Sequence, residues 1–394
     1  MNGAYTHSKT WGPEVSDRLL APILRAAHTR AVTLKAEEVN WPQLVGAACD
    51  AWLGGIVLEA IERHGWSVEL PQMQQLRWQA SQIQRVNGRI LRTLSTAAFE
   101  LRKGDVEVLA LKGAALNLTL YETLDRRSMS DLDFLVRECD LDRATMLLEQ
   151  AGFRRGAEFV RHDFFPQYHY AVEYVSPGSD AVRIDLHVRP FRPLRYATID
   201  SESFWSGACV VDVGGASVRV AADEEQFVHL AAHSAFHGHN RIVWLYDLCR
   251  LVDTAGRDFD WDRVVTICRQ LKLVLPVRQA LQKVENLWGP IAPDDIRNSL
   301  ASVRVGWRDR LCLAQTPHDA TRPIRHIVVN LFCMRGVINR FGYVLRVLLP
   351  DRGHMGEVYS RRHRGWLVAA HARRVLYTLL RPAIRSIRLL RPSA

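Results

Sequence analysis

Apolar residues at two different spacings divide the chain into helical and strand-forming parts. Through residues 1–104 they recur every three and four positions, and this spacing predicts helices. One of these helices opens at Trp41-Pro42 and runs to about Arg63, and a longer one covers 72–102. From residue 106 the pattern changes to short apolar runs, which predict strands. A helical part therefore leads into a part that contains a sheet.

The strand-forming part alternates strands with helices and then ends in a hairpin. The predicted strands are 106–111, 131–136, 168–175, 181–188, 209–213 and 216–220, and the predicted helices between them are 113–121 and 141–151. Gly214-Gly215 marks the turn of the last strand pair. We therefore expect an α/β (α+β) fold with a mixed sheet, flanked by N-terminal and C-terminal helical regions.

Shifts in this pattern predict four regions with boundaries near residues 104, 222 and 320. They are a helical lead-in domain (1–104), an α/β core (105–222), a helical domain that packs on the core (223–320) and a basic helical C-terminal region (321–394). Within the third region, continuous apolar spacing predicts helices over 224–252 and 261–287.

Composition excludes several classes of protein. With 394 residues, 48% of them hydrophobic, the chain can bury sizeable cores. The most apolar long window, 44–61, contains Asp50 and Glu59, so no transmembrane helix is expected. The seven cysteines are odd in number and lack paired spacing, and no signal segment is recognised at the start. We expect reduced thiols without disulfides, no zinc site and a cytoplasmic location.

The positive charge is concentrated at the end of the chain. The whole sequence carries a net charge of +10, but residues 335–394 contain 13 Arg and no Lys against Asp351 and Glu357, which leaves residues 1–334 near neutral. Within this tail, 366–390 alternates leucine and isoleucine with arginine, so it could bind a membrane surface or nucleic acid. The alternative is an amphipathic helix docked on the body and interrupted at Pro382, which we favour.

Two carboxylates close together in the sequence are candidate metal ligands. Asp131 and Asp133 are two positions apart at the head of a predicted strand, so both side chains leave the same face. Such carboxylates repel each other unless a cation lies between them, and Mg²⁺ bridged by substrate phosphates is the usual partner. A third carboxylate on a neighbouring strand would complete the site.

Asp185 is the predicted third carboxylate. It shares one face of its strand with His187 and Arg189, and this polar face would point towards the metal. Asp163 and Asp180 compete with it for the role. For His187 and Arg189, an exposed polar strand face is the simpler explanation.

A candidate phosphate site precedes the carboxylates. Gly113 follows a strand and precedes a helix, so backbone N–H groups there could receive a phosphate. Lys112 and Arg127 can add positive charge, and Arg127 is suited to a bidentate contact. Ser128 and Ser130 could hydrogen-bond phosphate or orient the carboxylates.

A histidine-rich segment follows the predicted sheet. His229, His233 and His237 lie four residues apart on one predicted helix, a spacing that could bind metal, and His239 follows. No carboxylate or cysteine accompanies them in a metal-binding pattern. We favour a helix face packed beside the sheet, with Asp247 as a candidate hydrogen-bond partner of a histidine.

The same residues carry a resemblance to a known family. Leu111-Lys112-Gly113, Leu120-Tyr121 and the run from Arg127 to Asp133 resemble the bacterial uncharacterised nucleotidyltransferase family (NTP_transf_5-like), within the superfamily that shares the DNA polymerase β palm. The similarity extends to the Asp-Leu-His strand at Asp185 and to Leu-Tyr-Asp at 245–247. It covers most of the chain.

This resemblance implies an enzyme that depends on Mg²⁺ or Mn²⁺ and has a nucleotidyltransferase palm over 105–222. Such an enzyme would transfer a nucleoside monophosphate from an NTP such as ATP to a hydroxyl-bearing small molecule, peptide or protein. The resemblance implies Asp131 and Asp133 as metal ligands and Asp185 as a ligand or as the base for the acceptor hydroxyl. The superfamily's Gly-Ser pair is Gly113-Ala114 here, so a hydroxyl that would contact phosphate is missing.

Two further hypotheses stay open. The protein could transfer another group from an activated nucleotide such as a nucleotide sugar. It could also bind a nucleotide without catalysis, with its basic tail on an acidic partner or, less favoured, on nucleic acid. No motif specifies the acceptor, because acceptor pockets are built from loops whose shape a motif does not encode.

Overall fold

The computed structural model describes residues 13–29, 34–156, 170–191, 201–314, 323–334, 336–349 and 371. The helices are α1 (Pro13–His28), α2 (Trp41–Asp50), α3 (Gly54–His64), α4 (Leu70–Arg102), α5 (Lys112–Thr119), α6 (Leu141–Gln150), α7 (Glu202–Ser206), α8 (Asp223–Phe236), α9 (Ile242–Ala255), α10 (Trp261–Gln270), α11 (Val274–Trp288), α12 (Asp294–Ser302), α13 (Trp307–Ala314), α14 (Pro323–Cys333) and α15 (Val337–Leu348). The strands are β1 (Leu109–Ala110), β2 (Leu132–Leu135), β3 (Arg154–Arg155), β4 (Ala171–Val175), β5 (Arg183–His187), β6 (Cys209–Val213) and β7 (Ala216–Val220).

The seven strands form one mixed sheet in the order β3-β4-β5-β2-β1-β7-β6. β2 runs parallel to β5 and antiparallel to β1, while β1 runs parallel to β7. The outer pairs, β3 with β4, β4 with β5 and β6 with β7, are antiparallel. The mixed α/β fold with flanking helices that the sequence predicts is confirmed, and β2 and β5 lie side by side within the sheet.

Alternation along β2 and β5 separates apolar from polar side chains. One hydrophobic core lies between the sheet and helices α4 and α6, and it contains Leu132, Phe134, Ile184 and Leu186. Side chains of a strand alternate between its faces, so Asp133, Asp185 and His187 share the opposite face. The apolar pattern thus directs three polar residues towards the same side of the sheet.

A second hydrophobic core crosses the predicted domain boundaries. It joins apolar residues of α1, α2 and α3 with those of α8 to α12, and it includes Leu111 and Leu135 from the region of the sheet. Helix α1 contacts α9 and α11 directly. The N-terminal helices therefore bury their apolar faces against helices from the second half of the chain and share one core with them.

Three helices that the sequence predicts as continuous are each divided in two. A residue in the left-handed region ends the first helix of each pair: Trp52 (φ 58°) before α3, Gly238 (φ 67°) before α9 and Lys272 (φ 58°) before α11. In each case the next residue donates its N–H to a carbonyl five residues back, at 2.8 Å. This is the Schellman arrangement. It usually requires glycine, so Trp52 and Lys272 gave no signal in the sequence.

The strands agree with their predictions more closely. The hairpin of β6 and β7 has the predicted bounds and turns at Gly214-Gly215, both of which have positive φ (60° and 85°). Gly152 also adopts a positive φ (86°) just after α6, directly after the end of the predicted helix 141–151. Apart from residue 371, the amphipathic segment 366–390 lies outside the described residues, and so does Asp163.

Two predictions from composition have different outcomes. Among the residues that the structure describes, no helix has the length and apolar character needed to cross a membrane. Cys49, Cys139, Cys209, Cys249 and Cys268 have free thiols. Cys333 is disulfide-bonded, so the prediction that disulfides are absent is wrong there.

Gly55 lies where no side chain fits. A Cβ atom added there would be 1.8 Å from the backbone carbonyl oxygen of Asp125, in the loop before β2. We expect Gly55→Ala to lower the free energy of unfolding by about 1–3 kcal/mol, because backbone must shift to relieve the overlap. At Gly46 in α2 nothing lies within 4 Å of an added Cβ. Gly46→Ala should therefore raise stability by about 0.5–1 kcal/mol, and urea denaturation of both variants tests the contrast.

Candidate active site

The turn between β1 and α5 places a lysine against the sheet. Lys112 is the first residue of α5 and adopts a left-handed φ of 50°. Its Nζ lies 2.6 Å from Oδ1 of Asp133 on β2. Leu111 holds the turn beside that strand, because its N–H donates to the carbonyl of Asp133 at 3.1 Å. The strand end, the lysine and the first carboxylate therefore form one unit.

Two carboxylates and an imidazole meet on the face opposite the α4–α6 core. Asp133 on β2 is directly opposite Asp185 on the parallel strand β5. Nε2 of His187 donates to Oδ1 of Asp133 at 2.9 Å. One ligand atom from each of Asp133, Asp185 and His187 lies within 4.8 Å of the others, and among the described residues only this group could hold a metal ion. The predicted position of Asp185 on the strand beside Asp133 is confirmed.

His187 is a site residue that the sequence placed on an exposed strand face. Its side chain is instead buried, and its ring contacts that of Tyr170 edge to face with 5.1 Å between centroids. Nδ1 of His187 has no hydrogen-bond partner among the described residues. One feature of the sequence could have identified His187 as a site residue. It lies two residues after Asp185, and this spacing places both side chains on the same face of the strand. Arg189, two residues further on, donates to Glu138 at 2.8 Å and lies outside the metal group.

Burial and charge set the protonation of the cluster. Burial raises the pKa of Asp185, and the charge of Asp133 raises it further. Burial also acts to raise the pKa of Asp133, but the Lys112 ammonium and the His187 hydrogen bond hold it well below its usual range. Burial alone would lower the pKa of Lys112. The negative charge of Asp133 outweighs that effect, so the pKa of Lys112 lies above its ordinary value. Asp133 and Lys112 form a charged pair, while Asp185 is the more basic carboxylate.

Asp131 lies at the edge of this cluster. Its Oδ2 accepts a hydrogen bond from the guanidinium of Arg183 at 2.7 Å, and its Oδ1 accepts one from the hydroxyl of Ser130 at 2.9 Å. Asp131 is therefore not one of the three residues grouped around a common point. Arg183, at the start of β5, is a further site residue that no sequence pattern indicates, because the pairing of β2 with β5 is what brings it to Asp131.

Arg127 contacts a buried carboxylate instead of facing a phosphate position. Its Nε lies 3.0 Å from both carboxylate oxygens of Asp247 on α9, and its Nη2 lies 2.9 Å from Oδ2. The hydroxyl of Tyr121 donates to the same carboxylate at 2.7 Å. Arg127 also donates to the carbonyl of Ser128. A buried guanidinium needs a paired carboxylate, so this arrangement differs from the predicted bidentate phosphate contact and from the predicted histidine partner of Asp247.

A buried asparagine of α4 holds the loop that leads to the carboxylates. Nδ2 of Asn87 donates to the carbonyls of Leu124 and Arg127 at 2.7 and 2.6 Å, and its Oδ1 accepts from the N–H of Met129 at 3.0 Å. Asn117 of α5 donates to the same Arg127 carbonyl at 3.1 Å. A side chain from the middle of α4 thus fixes the loop before Asp131.

The predicted phosphate residues lie around the start of α5. A Cβ atom at Gly113 would be 3.0 Å from Cγ of Met129, so the glycine allows the loop to approach the helix closely. Ala114 is buried in the core shared with α4, so its methyl group packs inside the protein. Ser130 is exposed and Ser128 is half-buried. Phosphate contacts by Lys112, Gly113, Ala114, Ser128 and Ser130 stay predictions.

The histidines of α8 pack behind the turn. His229 lines a small space together with Lys112, and its ring contacts those of Phe191 and Phe204 edge to face. The ring of His233 lies beside that of His237, tilted by 46° with 4.5 Å between ring centroids. None of the four histidines belongs to the one group of described residues that could hold a metal ion. The helix-face interpretation fits this placement better than a metal site does.

Buried His229 should make stability depend on pH. Burial, then the charges of Lys112 and His187, lower the pKa of His229 to about 3. Below its ordinary pKa the unfolded chain takes up a proton that the folded protein does not, so stability falls as pH falls from about 6.5 towards about 3. From about pH 7.5 to about pH 5 we expect His229 to account for a loss of about 2 kcal/mol. Urea denaturation of wild type and His229→Gln should show a shallower pH dependence in the variant, and equal slopes would contradict this.

A known protein family matches the part of the chain that contains this site. The family described as "Uncharacterised nucleotidyltransferase" matches residues 37–289, more than half of the chain. The matched range includes helices α2 to α11 and all seven strands. It also includes Lys112, Asp131, Asp133, Asp185 and His187.

Solved structures give more distant similarities. An antigenic nucleotidyltransferase-like protein from Paracoccidioides brasiliensis is 15% identical, with a TM-score of 0.36 over 54% of this chain and 99% of that chain. ANT(2")-Ia in complex with adenylyl-2"-tobramycin is 11% identical, with a TM-score of 0.34 over 46% of this chain and 96% of that chain. The solution structure of the antibiotic-resistance factor ANT(2'')-Ia is 11% identical, with a TM-score of 0.33 over 51% of this chain and 98% of that chain. Comparison with curated proteins gives no match.

Proposed function

Because this chain belongs to the uncharacterised nucleotidyltransferase family, we propose that it transfers a nucleoside monophosphate from an NTP to a hydroxyl group with the help of a divalent cation. The acceptor in this proposal is a small molecule, a peptide or a protein. The observation that carries it is the meeting of Asp133, Asp185 and His187, whose ligand atoms lie within 4.8 Å of one another beside Lys112. A cation, a triphosphate and a base can all be assigned to residues around this point.

The donor set fits a divalent cation. Carboxylate oxygens suit Mg²⁺ and Mn²⁺, and an imidazole nitrogen is a ligand for many divalent transition metals. Asp133 and Asp185 repel each other, which is one cause of the raised pKa of Asp185, and a cation between them would relieve that repulsion. When bound, a divalent cation would neutralise charge on the triphosphate and polarise the phosphoryl group that is attacked.

Asp131 is proposed as a further ligand. Arg183 now holds its carboxylate at 2.7 Å on the protein surface, where the arginine side chain is 55% exposed. An incoming triphosphate would compete for this guanidinium, because Arg forms strong bidentate contacts with phosphate. Withdrawal of Arg183 would leave Asp131 available next to Asp133.

Lys112 and the start of α5 are proposed to bind the triphosphate. The first N–H groups of a helix have no intrahelical partner, and the helix dipole favours an anion there. Gly113 and Ala114 supply such groups, and Ser128 and Ser130 add hydroxyls on the neighbouring loop. Lys112 Nζ, now paired with Asp133, would be shared with a phosphate oxygen.

Asp185 is proposed as the base for the acceptor hydroxyl. Its pKa is raised by burial and by Asp133, which brings it closer to neutral pH than that of an ordinary carboxyl. A base works best when its pKa approaches the working pH. Asp133, whose pKa is depressed, is suited to holding a cation and not to taking a proton.

The proposal is tested by offering each of the four NTPs, with Mg²⁺ or Mn²⁺, to wild type and Asp133→Asn. Pyrophosphate release and thermal shift are the readouts. Wild type should be stabilised by at least one NTP only when metal is present, by about 2–3 kcal/mol at a hundredfold excess over Kd. Asp133→Asn should show neither effect, and Asp258→Asn, an exposed carboxyl outside the site, should behave as wild type.

The outcomes separate the hypotheses. If wild type binds no NTP with either metal, the proposal is wrong. If it responds to a nucleotide sugar, mass spectrometry of the product identifies the transferred group as a sugar or a nucleotide. NTP binding that is unchanged in Asp133→Asn and releases no pyrophosphate would indicate a binding module without catalysis.

A further inference from the structure

Exposed apolar side chains concentrate in the last three described helices. Large hydrophobic residues are exposed at 13 of the described positions, and eight of these belong to α13, α14 and α15 or follow them directly. The eight are Trp307, Val328, Phe332, Val337, Ile338, Phe341, Leu345 and Leu349. Single exposed apolar residues are common on protein surfaces, but a concentration of this size marks a contact surface. We refer to these eight residues as the α13–α15 surface.

Helix α15 presents most of this surface. Val337, Ile338 and Phe341 are 79%, 88% and 69% exposed, and together with Leu345 they follow the spacing of one helix side. Tyr343 is buried, and its hydroxyl accepts a hydrogen bond from Asn330 of α14 at 2.9 Å. The helix is therefore held by one side to α14, while its apolar side faces solvent.

An aromatic pair continues the surface on the neighbouring helices. Trp307 of α13 is 61% exposed and contacts the ring of Phe332 of α14 edge to face, with 6.5 Å between centroids. The guanidinium of Arg308 lies 5.3 Å from the Trp307 ring centre. Helix α13 contacts both α14 and α11, so this pair is connected to the body of the protein. Exposed tryptophan beside arginine is typical of groups that sit at the boundary between water and lipid.

The charge around the α13–α15 surface is almost entirely positive. Within the described parts of 303–349 the only acidic residue is Asp309, and there is no lysine. The arginines whose side chains are described are Arg304, Arg308, Arg310, Arg340 and Arg346. Residues 335–394 carry 13 Arg against two acidic residues, so the positive character extends through the sequence to its end. A binding partner that fits this surface must offer both apolar groups and negative charge.

We propose that the α13–α15 surface docks on the surface of an anionic lipid bilayer. Apolar side chains would enter the boundary between headgroups and acyl chains, while the arginines would contact lipid phosphates. A second copy of the chain is a poor occupant, because two surfaces of the same positive sign repel each other. Nucleic acid would satisfy the arginines but leave Ile338 and Phe341 in water. This proposal is independent of the nucleotidyltransferase chemistry.

The test is co-sedimentation of the full chain with lipid vesicles. Vesicles of phosphatidylcholine alone are compared with vesicles in which about a third of the lipid is phosphatidylglycerol, at low and high salt. Wild type should sediment with the anionic vesicles and not with the neutral ones, and high salt should weaken the binding. Phe341→Ser should lower the partition coefficient about tenfold, because one large apolar side chain no longer enters the lipid.

Phe99→Ser is the matched control. Phe99 is 57% exposed on α4, far in sequence from the α13–α15 surface, so its loss should leave vesicle binding unchanged. Both phenylalanines are exposed, and equal thermal melting of the variants checks that each one folds. Absence of wild-type binding to anionic vesicles would overturn the proposal. So would equal binding by wild type and Phe341→Ser, since the arginines alone would then account for it, and so would binding to an RNA homopolymer without binding to lipid.

Discussion

Asp247→Ala is expected to lower the free energy of unfolding by about 3–5 kcal/mol, among the largest effects of any single substitution in this chain. The carboxylate is fully buried and bonds Arg127 and the Tyr121 hydroxyl at 2.7–3.0 Å. Its removal would leave the buried Arg127 guanidinium charged and without the Asp247 carboxylate, which now offsets much of the cost of burying that charge. The loop that leads to Asp131 would lose its anchor to α9.

Glu62→Ala provides the comparison for Asp247→Ala. Glu62 pairs with Arg126, the residue next to Arg127, at 2.8 Å, but its side chain is 52% exposed. Exposed pairs contribute about 0–1 kcal/mol, because water screens the charges. Chemical denaturation at pH 7 should therefore show a large loss for Asp247→Ala and a small one for Glu62→Ala. Equal losses would show that the buried pair does not anchor the loop as described.

Asp185→Asn is expected to reduce nucleotidyl transfer by about 10²–10⁴-fold, with the fold retained. The amide keeps the size of the side chain but can neither attract a cation as strongly nor take a proton from the acceptor. Thermal stability should stay equal or increase, because burial and the nearby Asp133 charge oppose the ionised form of Asp185. Turnover of the NTP identified in the screen, measured at saturating metal, is the readout.

Asp180→Asn is the control for Asp185→Asn. Asp180 competed with Asp185 for the third carboxylate in the sequence, and its side chain is 84% exposed in the turn between β4 and β5. We expect the activity of Asp180→Asn to equal that of wild type. A loss in Asp180→Asn together with normal activity in Asp185→Asn would reverse the assignment.

The strands and the faces of their polar side chains were predictable because they depend on short-range patterns. The alternation of side chains along a strand predicts that Asp131 and Asp133 share one face of their strand. It predicts in the same way that Asp185 and His187 share one face of theirs. The pairing of two buried apolar strands then leaves Asp133 opposite Asp185. The turn at Gly214-Gly215 could also be predicted, because a positive φ favours glycine.

Other features depend on contacts between distant parts of the chain. Arg127 and Asp247 are 120 residues apart, and no local pattern distinguishes an arginine that will bind phosphate from one that will bind a buried carboxylate. The helix ends at Trp52 and Lys272 place non-glycine residues in the left-handed region, which local propensity disfavours. The N-terminal helices share a core with α8 to α12, which becomes visible only when the chain is folded.

The most direct test of the central claim is the binding of Mn²⁺ at the cluster of Asp133, Asp185 and His187, measured by the loss of the electron paramagnetic resonance signal of the free ion. Wild type should bind Mn²⁺ at a specific site, and the binding should tighten when the NTP identified in the screen is added. Asp133→Asn should lose this site while keeping the thermal denaturation profile of a folded protein. Equal Mn²⁺ binding by wild type and Asp133→Asn, with or without NTP, would contradict the account.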